Sequence, residues 1–204
     1  MRTRPIVLAV TGLTLAVFLA ACGTSTDSDA QSMGADPGAS SASDASGQTA
    51  NIAYAQLMIP HHQQAVEMAD LALKYGSSAE VKQLATGIKA AQQPEIEQMS
   101  QWLQDWGAPM TMPDSHGDMA GMDMGGMSAS GMMSEEDLAA LADARGADFD
   151  RMWLQMMIAH HQGAIAMTQQ VLDTTNDPQV TTLANAVISG QQAEIATMQQ
   201  LLAQ

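Results

Sequence analysis

Apolar side chains recur every three or four residues in four stretches of the chain, as they do in helices with one buried face. The four stretches are 54–73, 81–103, 147–174 and 178–202. Turn residues separate the members of each pair, at Gly76-Ser77-Ser78 and at Asn176-Asp177-Pro178. The pattern therefore predicts two helical hairpins. Ser134-Glu135-Glu136-Asp137 resembles a capping box and predicts a short extra helix before Gly146.

The two hairpins repeat each other. Residues 57–103 align with residues 156–202 without a gap, at an offset of 99 positions. Apolar positions must repeat if both hairpins build one core, but matching polar positions are not needed for that purpose, and they point to function. The repeated pairs are Met58/Met157, His61/His160, His62/His161, Met68/Met167, Gln92/Gln191, Glu95/Glu194 and Met99/Met198.

A single hairpin has one apolar face that it cannot hide by itself. Two hairpins bury these faces by packing on each other, so the predicted fold class is all-α, a four-helix bundle with approximate two-fold symmetry. Residues 51–106 form the first repeat and residues 134–204 the second, and together they make one domain. Residues 22–50 contain almost no large apolar side chain and predict a disordered tether. Residues 107–133 form a linker rich in Met, Gly and Asp.

The N-terminus predicts export and lipidation. Arg2 and Arg4 precede an apolar run, 6–21, that is too short and wrongly flanked for a stable membrane span. The run ends in Leu-Ala-Ala-Cys, which resembles a bacterial lipobox. Residues 1–21 are therefore predicted to be a lipoprotein signal peptide, and Cys22 the lipidated residue that anchors the protein to the extracytoplasmic face of the membrane. The alternative is an ordinary secretory peptide with an incidental cysteine.

Composition narrows the function further. Cys22 is the only cysteine, which excludes a disulfide, a thiolate metal cage and a cysteine nucleophile. Removing Arg2 and Arg4 leaves five basic residues against 22 acidic ones, a net charge of −17. Nucleic acid and anionic lipid surfaces are not expected partners, because both require basic patches.

The repeated polar residues predict a metal site inside the bundle. Neighbouring helical residues point about 100° apart, so we expect His61 and His160 to face inward and His62 and His161 to face a neighbouring helix. An antiparallel hairpin is expected to bring His61 near Glu95 and His160 near Glu194. The predicted metal ligands are Met58, His61, His62, Met68, Glu95, Met99, Met157, His160, His161, Met167, Glu194 and Met198.

Ligand chemistry predicts the metal. Thioether is a soft ligand and imidazole a borderline one, so together they favour copper, especially Cu(I), over zinc, calcium or magnesium. A site that also uses Glu suits Cu(II). No organic cofactor is expected. The alternative is structural: Met fills gaps in the core, each His pairs with a Glu, and the polar layer only specifies the bundle of an adaptor lipoprotein.

The linker gives a second signal for a soft metal. Residues 110–133 contain eight Met, one His and three Asp, and a flexible backbone can wrap several thioethers around one ion. Drift in a low-complexity tract and a sacrificial sink for oxidants are the alternatives. The predicted accessory ligands are Met110, Met112, His116, Met119, Met122, Met124 and Met127.

Catalytic motifs are missing from the sequence, and we expect the protein not to be an enzyme. The residues three positions before the first His of each pair are Met58 and Met157, so the Glu-x-x-His motif of di-iron bundles is missing. The chain has no His-Glu-x-x-His, no Cys-x-x-Cys-His, no phosphate loop and no nucleophile elbow. An aromatic content of 3% argues against a b-type haem. A redox enzyme that uses the bound metal is a weaker alternative.

Two strings of the second repeat resemble the domain-of-unknown-function 305 family. They are F-D-x-x-W-L-x-x-M-I-x-H-H-Q-G-A-I-x-M at 149–167 and Q-x-x-E-I-x-x-M at 191–198, and the first repeat carries M-I-P-H-H at 58–62. The resemblance covers nearly all of 51–204. It implies a ferritin-like four-helix bundle, often secreted or lipidated, with copper binding and copper resistance in some members. By position it implies roles for Met58, His61, His62, Met157, His160 and His161, and less directly for Glu95 and Glu194.

The sequence therefore predicts a membrane-anchored lipoprotein that binds copper or silver for buffering, delivery or resistance, with a metal-donating or metal-accepting protein as a further partner. The first repeat departs from the family pattern at one place, where Ala50-Asn51 stands at the position of Phe149-Asp150.

Overall fold

The computed structural model describes residues 37–112 and 131–204. Within these ranges the chain forms helices and no strand, and the predicted all-α bundle is confirmed. Four long helices form the bundle, and one short helix precedes the second hairpin. The helices are α1 (Pro37–Tyr75), α2 (Ala79–Asp105), α3 (Glu135–Asp143), α4 (Gly146–Leu172) and α5 (Pro178–Leu202).

The helix starts follow from local capping. Ser78 precedes α2, and its hydroxyl accepts a hydrogen bond from the Val81 amide. Asp177 caps α5 in the same way, and Pro178 occupies the first helical position, where its missing amide costs nothing. Ser134 and Asp137 form a reciprocal capping box at α3. Each of these boundaries lies where the turn residues of the sequence predict it.

Helix α1 begins well before the first repeat. Its first residues, 37–50, belong to the segment predicted as a tether, so that prediction does not describe them. Gly47 is buried against the α4–α5 turn, where an added Cβ would lie 3.2 Å from Asn176 Oδ1 and 3.3 Å from the Thr174 carbonyl. A small residue allows this close approach, and extending an existing helix costs much less than starting one. Composition alone misses such a contact because it involves no large apolar side chain.

The two hairpins meet mainly through α1 and α4, which run antiparallel. The Tyr54 hydroxyl lies 3.3 Å from the Thr168 hydroxyl near one end of this contact. At the other end Trp153 Nε1 donates to the Met68 carbonyl at 2.8 Å. Tyr54 and Trp153 are equivalent positions of the two repeats, so these hydrogen bonds are related by the approximate two-fold axis. The axis passes close to the middle of the contact, where the histidines lie.

Two apolar clusters pack on either side of the histidines, and each draws on both hairpins. One cluster contains Met58 and Met99 of the first repeat with Met167 of the second. The other contains the equivalent residues, Met157 and Met198 with Met68. The exchange of Met68 and Met167 between clusters shows that neither hairpin has a complete core of its own.

Candidate metal centre

Four histidines lie at the level where α1 contacts α4. Helices α1 and α4 each contribute two adjacent residues, and all four side chains are buried. Apolar clusters with three buried methionines each flank this histidine layer. The layer is defined here as His61, His62, His160 and His161.

The inner pair of the layer consists of His61 and His160, as the sequence predicts. Their ring centroids are 3.8 Å apart and their planes are inclined by 41°, so the rings face each other across the axis. Burial, followed by the three neighbouring imidazoles, lowers the pKa of His160 from 6.5 to about 2. The His160 side chain is therefore uncharged at neutral pH.

The outer pair consists of His62 and His161, and each of these histidines forms a hydrogen bond with a glutamate of its own hairpin. His62 Nε2 lies 2.7 Å from Glu95 Oε2, and His161 Nε2 lies 2.7 Å from Glu194 Oε2. The expected pairing of Glu95 with His61, and of Glu194 with His160, is wrong. The hairpin partner helix lies on the side of the second histidine of each pair, because the first one points to the other hairpin. A carboxylate only accepts, so Nε2 carries the proton in both pairs.

Several buried polar atoms of this level have no hydrogen-bond partner among the residues that the structure describes. A buried polar atom left unpaired costs about 1–3 kcal/mol, so each one calls for an explanation such as an ion or an internal water. The unpaired atoms are Nδ1 of His62 and His161, both ring nitrogens of His160, both amide atoms of Gln92, and Oε1 of Gln191. Those of His62 and His161, and those of Gln92 and Gln191, occur in equivalent places of the two repeats.

Histidine, cysteine and carboxylate side chains alone do not form a metal site in the described part of the chain. In the ranges 45–112 and 131–204, where side chains are described, no three His, Cys, Asp or Glu side chains come together around a point that could hold one ion. Zinc sites are normally built from three or more such groups. The other possible ligands at this level are the amides of Gln92 and Gln191 and the thioethers, and the six predicted core methionines are all buried.

The Met-rich linker begins and ends on α1. Gln56 Nε2 donates to the Pro109 carbonyl at 2.7 Å, and Gln64 forms two hydrogen bonds with the backbone of Met133. Met110 and Met112 line a shallow groove beside Pro60, one residue before His61. The other predicted accessory ligands lie outside the described residues, as does Cys22. They are His116, Met119, Met122, Met124 and Met127.

Sequence reasoning missed Gln56 and Gln64. Both are buried on α1, at 6% and 9% exposure, although glutamine is normally a surface residue. The signal available in the sequence was their position, one turn or less from the His pair on a helix that carries apolar residues at the same spacing. That signal is weak, because their partners are backbone groups that no sequence pattern marks.

The family model for Domain of unknown function (DUF305) matches residues 51–202. The chain belongs to this family. A DUF305 protein from Streptomyces coelicolor, described as secreted, is 30% identical with a TM-score of 0.69, over 76% of this chain and 92% of that one. CopM in its Cu(I)-bound form is 32% identical with a TM-score of 0.60, over 74% of this chain and 94% of that one. CopM has also been solved with Cu(II) and with Ag.

An uncharacterized protein of Acanthamoeba polyphaga mimivirus is 40% identical over 53 residues. The match spans 26% of this chain and 35% of that protein. The chain therefore covers about a third of the curated relative that it matches.

The Phe-Asp pair of this DUF305 chain joins the two hairpins. Asp150 accepts hydrogen bonds from the backbone amides of Ser77 and Ser78, at 2.9 and 2.8 Å, and from the Ser77 hydroxyl. Phe149 packs against Tyr75, with ring centroids 6.2 Å apart. The pair thus fixes the α1–α2 turn to the start of α4. The residue equivalent to Asp150 in the first repeat is Asn51. Asn51 is buried, and its Oδ1 has no partner within the described ranges.

Proposed function

We propose that this DUF305 chain binds copper or silver in the bundle, at the histidine layer and the methionines beside it. The observation that carries the proposal is the set of unpaired, buried nitrogens on His62 and His161, repeated in both hairpins next to thioethers. A bound ion would satisfy these atoms. A layer that served only as architecture would need internal water to satisfy them, or would leave them unsatisfied at a cost in stability.

The donor types select a soft metal. No three His, Cys, Asp or Glu side chains converge in the described part of the chain, so the proposed site in the bundle also uses thioether sulfur. Thioether binds Cu(I) and its heavier relative Ag(I) better than it binds zinc or magnesium. CopM, which has the same fold and is 32% identical over 74% of this chain, has Cu(I)-bound and Ag-bound structures, and this supports the choice.

The proposed location is the extracytoplasmic face of the membrane, with a lipid on Cys22 as the anchor. Among the described helices, none is both long enough and apolar enough to span a bilayer. The Streptomyces coelicolor protein described as secreted supports export.

Labelling with radioactive palmitate in a bacterial host tests the anchor: the wild-type chain should take up label and the Cys22→Ser variant should not. Label on neither form would show that Cys22 is not an acylation site.

The proposed role is stoichiometric binding for buffering, delivery or resistance, without catalysis. A protein that donates or accepts the ion is the expected partner.

The test is titration of the mature chain (residues 22–204, Cys22→Ser to remove the thiol) with Cu(I) against a competing chelator. Met99→Leu with Met198→Leu removes two sulfurs at nearly constant volume. We expect tight binding by wild type and at least a tenfold loss of affinity for part of the bound copper in the double variant.

The structural alternative keeps one observation in its favour, which is the direct ring contact of His61 and His160 at 3.8 Å. Buried imidazole rings can pack against each other in a core without any ion between them. Weak binding by wild type, unchanged by the Met→Leu pair and without effect of copper on thermal unfolding, would overturn the copper proposal and favour an adaptor lipoprotein.

A further inference from the structure

Charge is distributed unevenly along the bundle. The five basic residues after Arg4 all lie in the half of the bundle that contains the α1–α2 turn, and they are Lys74, Lys82, Lys89, Arg145 and Arg151. Residues 90–112 and 152–204 contain no Lys or Arg. The opposite end, where α2 and α4 end and α5 begins, is called the acidic end here. Its charged residues are Glu97, Asp105, Asp173 and Asp177.

A groove lies between α2 and α5 at the acidic end. Its lining carries no charge and consists of Gln98, Pro178, Gln179, Thr182, Leu183 and Ala186. Trp102 lies next to the groove, because its Nε1 donates to Gln179 Oε1 at 3.2 Å. The half-buried Trp106 ring stacks on Trp102, with centroids 5.8 Å apart. The surface thus combines an uncharged groove with a pair of indole rings.

The approximate two-fold symmetry shows that the core does not require these features. In the other repeat, Leu201 stands at the position equivalent to Trp102, and both side chains pack on a core cluster. An aliphatic side chain is therefore sufficient for packing at this position. Lys74 stands at the position equivalent to Asp173, so the other end has a basic residue where the acidic end has a carboxylate. Core packing accounts for neither difference.

We infer that this groove is a docking surface for a partner protein, and that the docking segment of the partner carries Lys or Arg on both sides of an apolar side chain. The apolar side chain lies in the groove beside Leu183 and Ala186. The basic side chains lie over the indole rings and beside the carboxylates of the acidic end. This inference does not depend on metal binding.

Charge complementarity identifies the partner as basic. Asp105 directly precedes Trp106, and Asp177 directly precedes Pro178, so carboxylates lie on both helices that form the groove. At the other end, by contrast, Asp70 pairs with Lys89. Helices α2 and α4 both end here without a basic residue in the last turn, which leaves the negative ends of their dipoles uncompensated. A cation over an indole face gains further attraction. Such a surface attracts basic segments and repels acidic ones.

Other classes of partner fit the surface less well. Nucleic acid and anionic lipid are repelled by a chain of net charge −15 and by an end without Lys or Arg. A second copy could bring its own basic residues to the acidic end. That contact would join two different surfaces, and a head-to-tail contact of this kind extends into a filament unless its rotation closes a ring. A basic segment of a different protein meets neither obstacle.

The first experiment measures peptide affinity in the metal-free mature chain. The probe is a fluorescein-labelled peptide of alternating Lys and Leu, and the same length of alternating Lys and Gly is the control peptide. We expect the Lys-Leu peptide to bind more tightly. Asp105→Asn with Asp173→Asn should weaken its binding by about fivefold, because exposed charge pairs contribute modestly. Glu67→Gln with Asp143→Asn removes the same charge from exposed positions in the other half and is the matched control.

The second experiment tests the shape of the groove. Ala186→Phe fills it and should weaken binding of the Lys-Leu peptide by about tenfold. Ala193→Phe, exposed on the same face of α5 two turns later and outside the groove, should leave binding unchanged. In the ¹⁵N-labelled wild-type chain, the peptide should shift the indole resonances of Trp102 and Trp106. The indole of Trp153, which is buried and bonded to the Met68 carbonyl, should stay in place.

Three results would overturn the inference. Equal losses in the two charge variants, or full binding by Ala186→Phe, would mean that the peptide is held by net charge alone. Equal affinity for the Lys-Gly peptide would mean that the groove takes no apolar side chain. Self-association of the mature chain in sedimentation equilibrium, abolished by Ala186→Phe and not by Ala193→Phe, would assign the groove to a second copy instead.

Discussion

Gln64 forms two hydrogen bonds with the backbone of Met133, 69 positions later in the chain. Its Nε2 donates to the Met133 carbonyl at 2.9 Å, and its Oε1 accepts from the Met133 amide at 2.7 Å. Gln56, two helical turns earlier, binds Pro109 at the other end of the linker. Both linker ends are therefore fixed to α1, on either side of the His61–His62 pair.

The first prediction concerns this attachment. Gln64→Ala should lower the free energy of unfolding by about 1–2 kcal/mol, because it leaves the amide and carbonyl of Met133 without a partner. Amide exchange at Met133 should become faster. Gln63→Ala is the matched control, since that side chain is exposed on the same turn. Urea unfolding and hydrogen exchange measure both effects, and equal behaviour of the two variants would show that the bonds contribute nothing.

The second prediction concerns the glycine where the linker rejoins the bundle. Gly131 has φ of 81°, and an added Cβ would lie 2.5 Å from the Ala159 carbonyl. Gly146 has a similar φ of 61° but open space around its Cβ position. Gly146→Ala should cost about 1–2 kcal/mol of stability from the left-handed backbone alone. Gly131→Ala adds a steric overlap and should cost about 2–4 kcal/mol.

Thermal and urea unfolding of these two glycine variants give the comparison. If Gly131→Ala is no more destabilising than Gly146→Ala, the linker end does not pack against α4 in solution. The backbone of His160 lies at the same place, with its carbonyl 3.0 Å from the added Cβ. A larger residue at position 131 should therefore also shift the backbone of α4 at the histidine layer.

The third prediction tests the attachment between the hairpins. Asp150→Ala removes the acceptor for two backbone amides and one hydroxyl of the α1–α2 turn, and should cost about 2–3 kcal/mol. Asp148→Ala, two residues earlier, loses only an exposed ion pair with Arg151 and should change stability by about 0.5 kcal/mol or less. Urea unfolding at neutral pH measures both. A small effect at Asp150 would mean that the turn is held by packing on Phe149 alone.

The fourth prediction follows from His160. Its pKa is about 2 in the folded protein against 6.5 for an ordinary histidine, because burial disfavours the charged ring. Below about pH 6.5 the unfolded chain binds a proton at this position that the folded chain does not bind. Metal-free protein should therefore be most stable above this pH, and His160 should remove about 1.4 kcal/mol of stability for each pH unit below it.

Urea unfolding of metal-free protein between pH 7 and about pH 5 measures this slope, in a range where carboxylates remain largely ionised. His160→Gln should show a slope shallower by about one proton. Identical slopes for wild type and variant would mean that His160 becomes charged without unfolding, and that the inner pair is more open to water than its burial indicates.

The sequence alone determined the architecture and the inner histidine pair. A period of three to four residues, the capping residues Ser78 and Asp177, and the repeat at an offset of 99 define two hairpins, because these features act within single helices. The inward direction of His61 and His160 follows from the same local geometry. The exact duplication of Met, His, Gln and Glu marked the level of the bundle at which chemistry is expected.

Only the tertiary structure decided which side chains touch. Glu95 bonds His62 and not His61, because the register between two helices depends on how their whole faces pack. Gln64 reaches Met133 and Asp150 reaches Ser77, both across more than sixty positions and both to backbone groups that carry no sequence signal. The approach of His61 and His160 to 3.8 Å likewise results from the packing of the two hairpins on each other. Local periodicity sets the direction of a side chain, but distances between helices arise only when the core is closed.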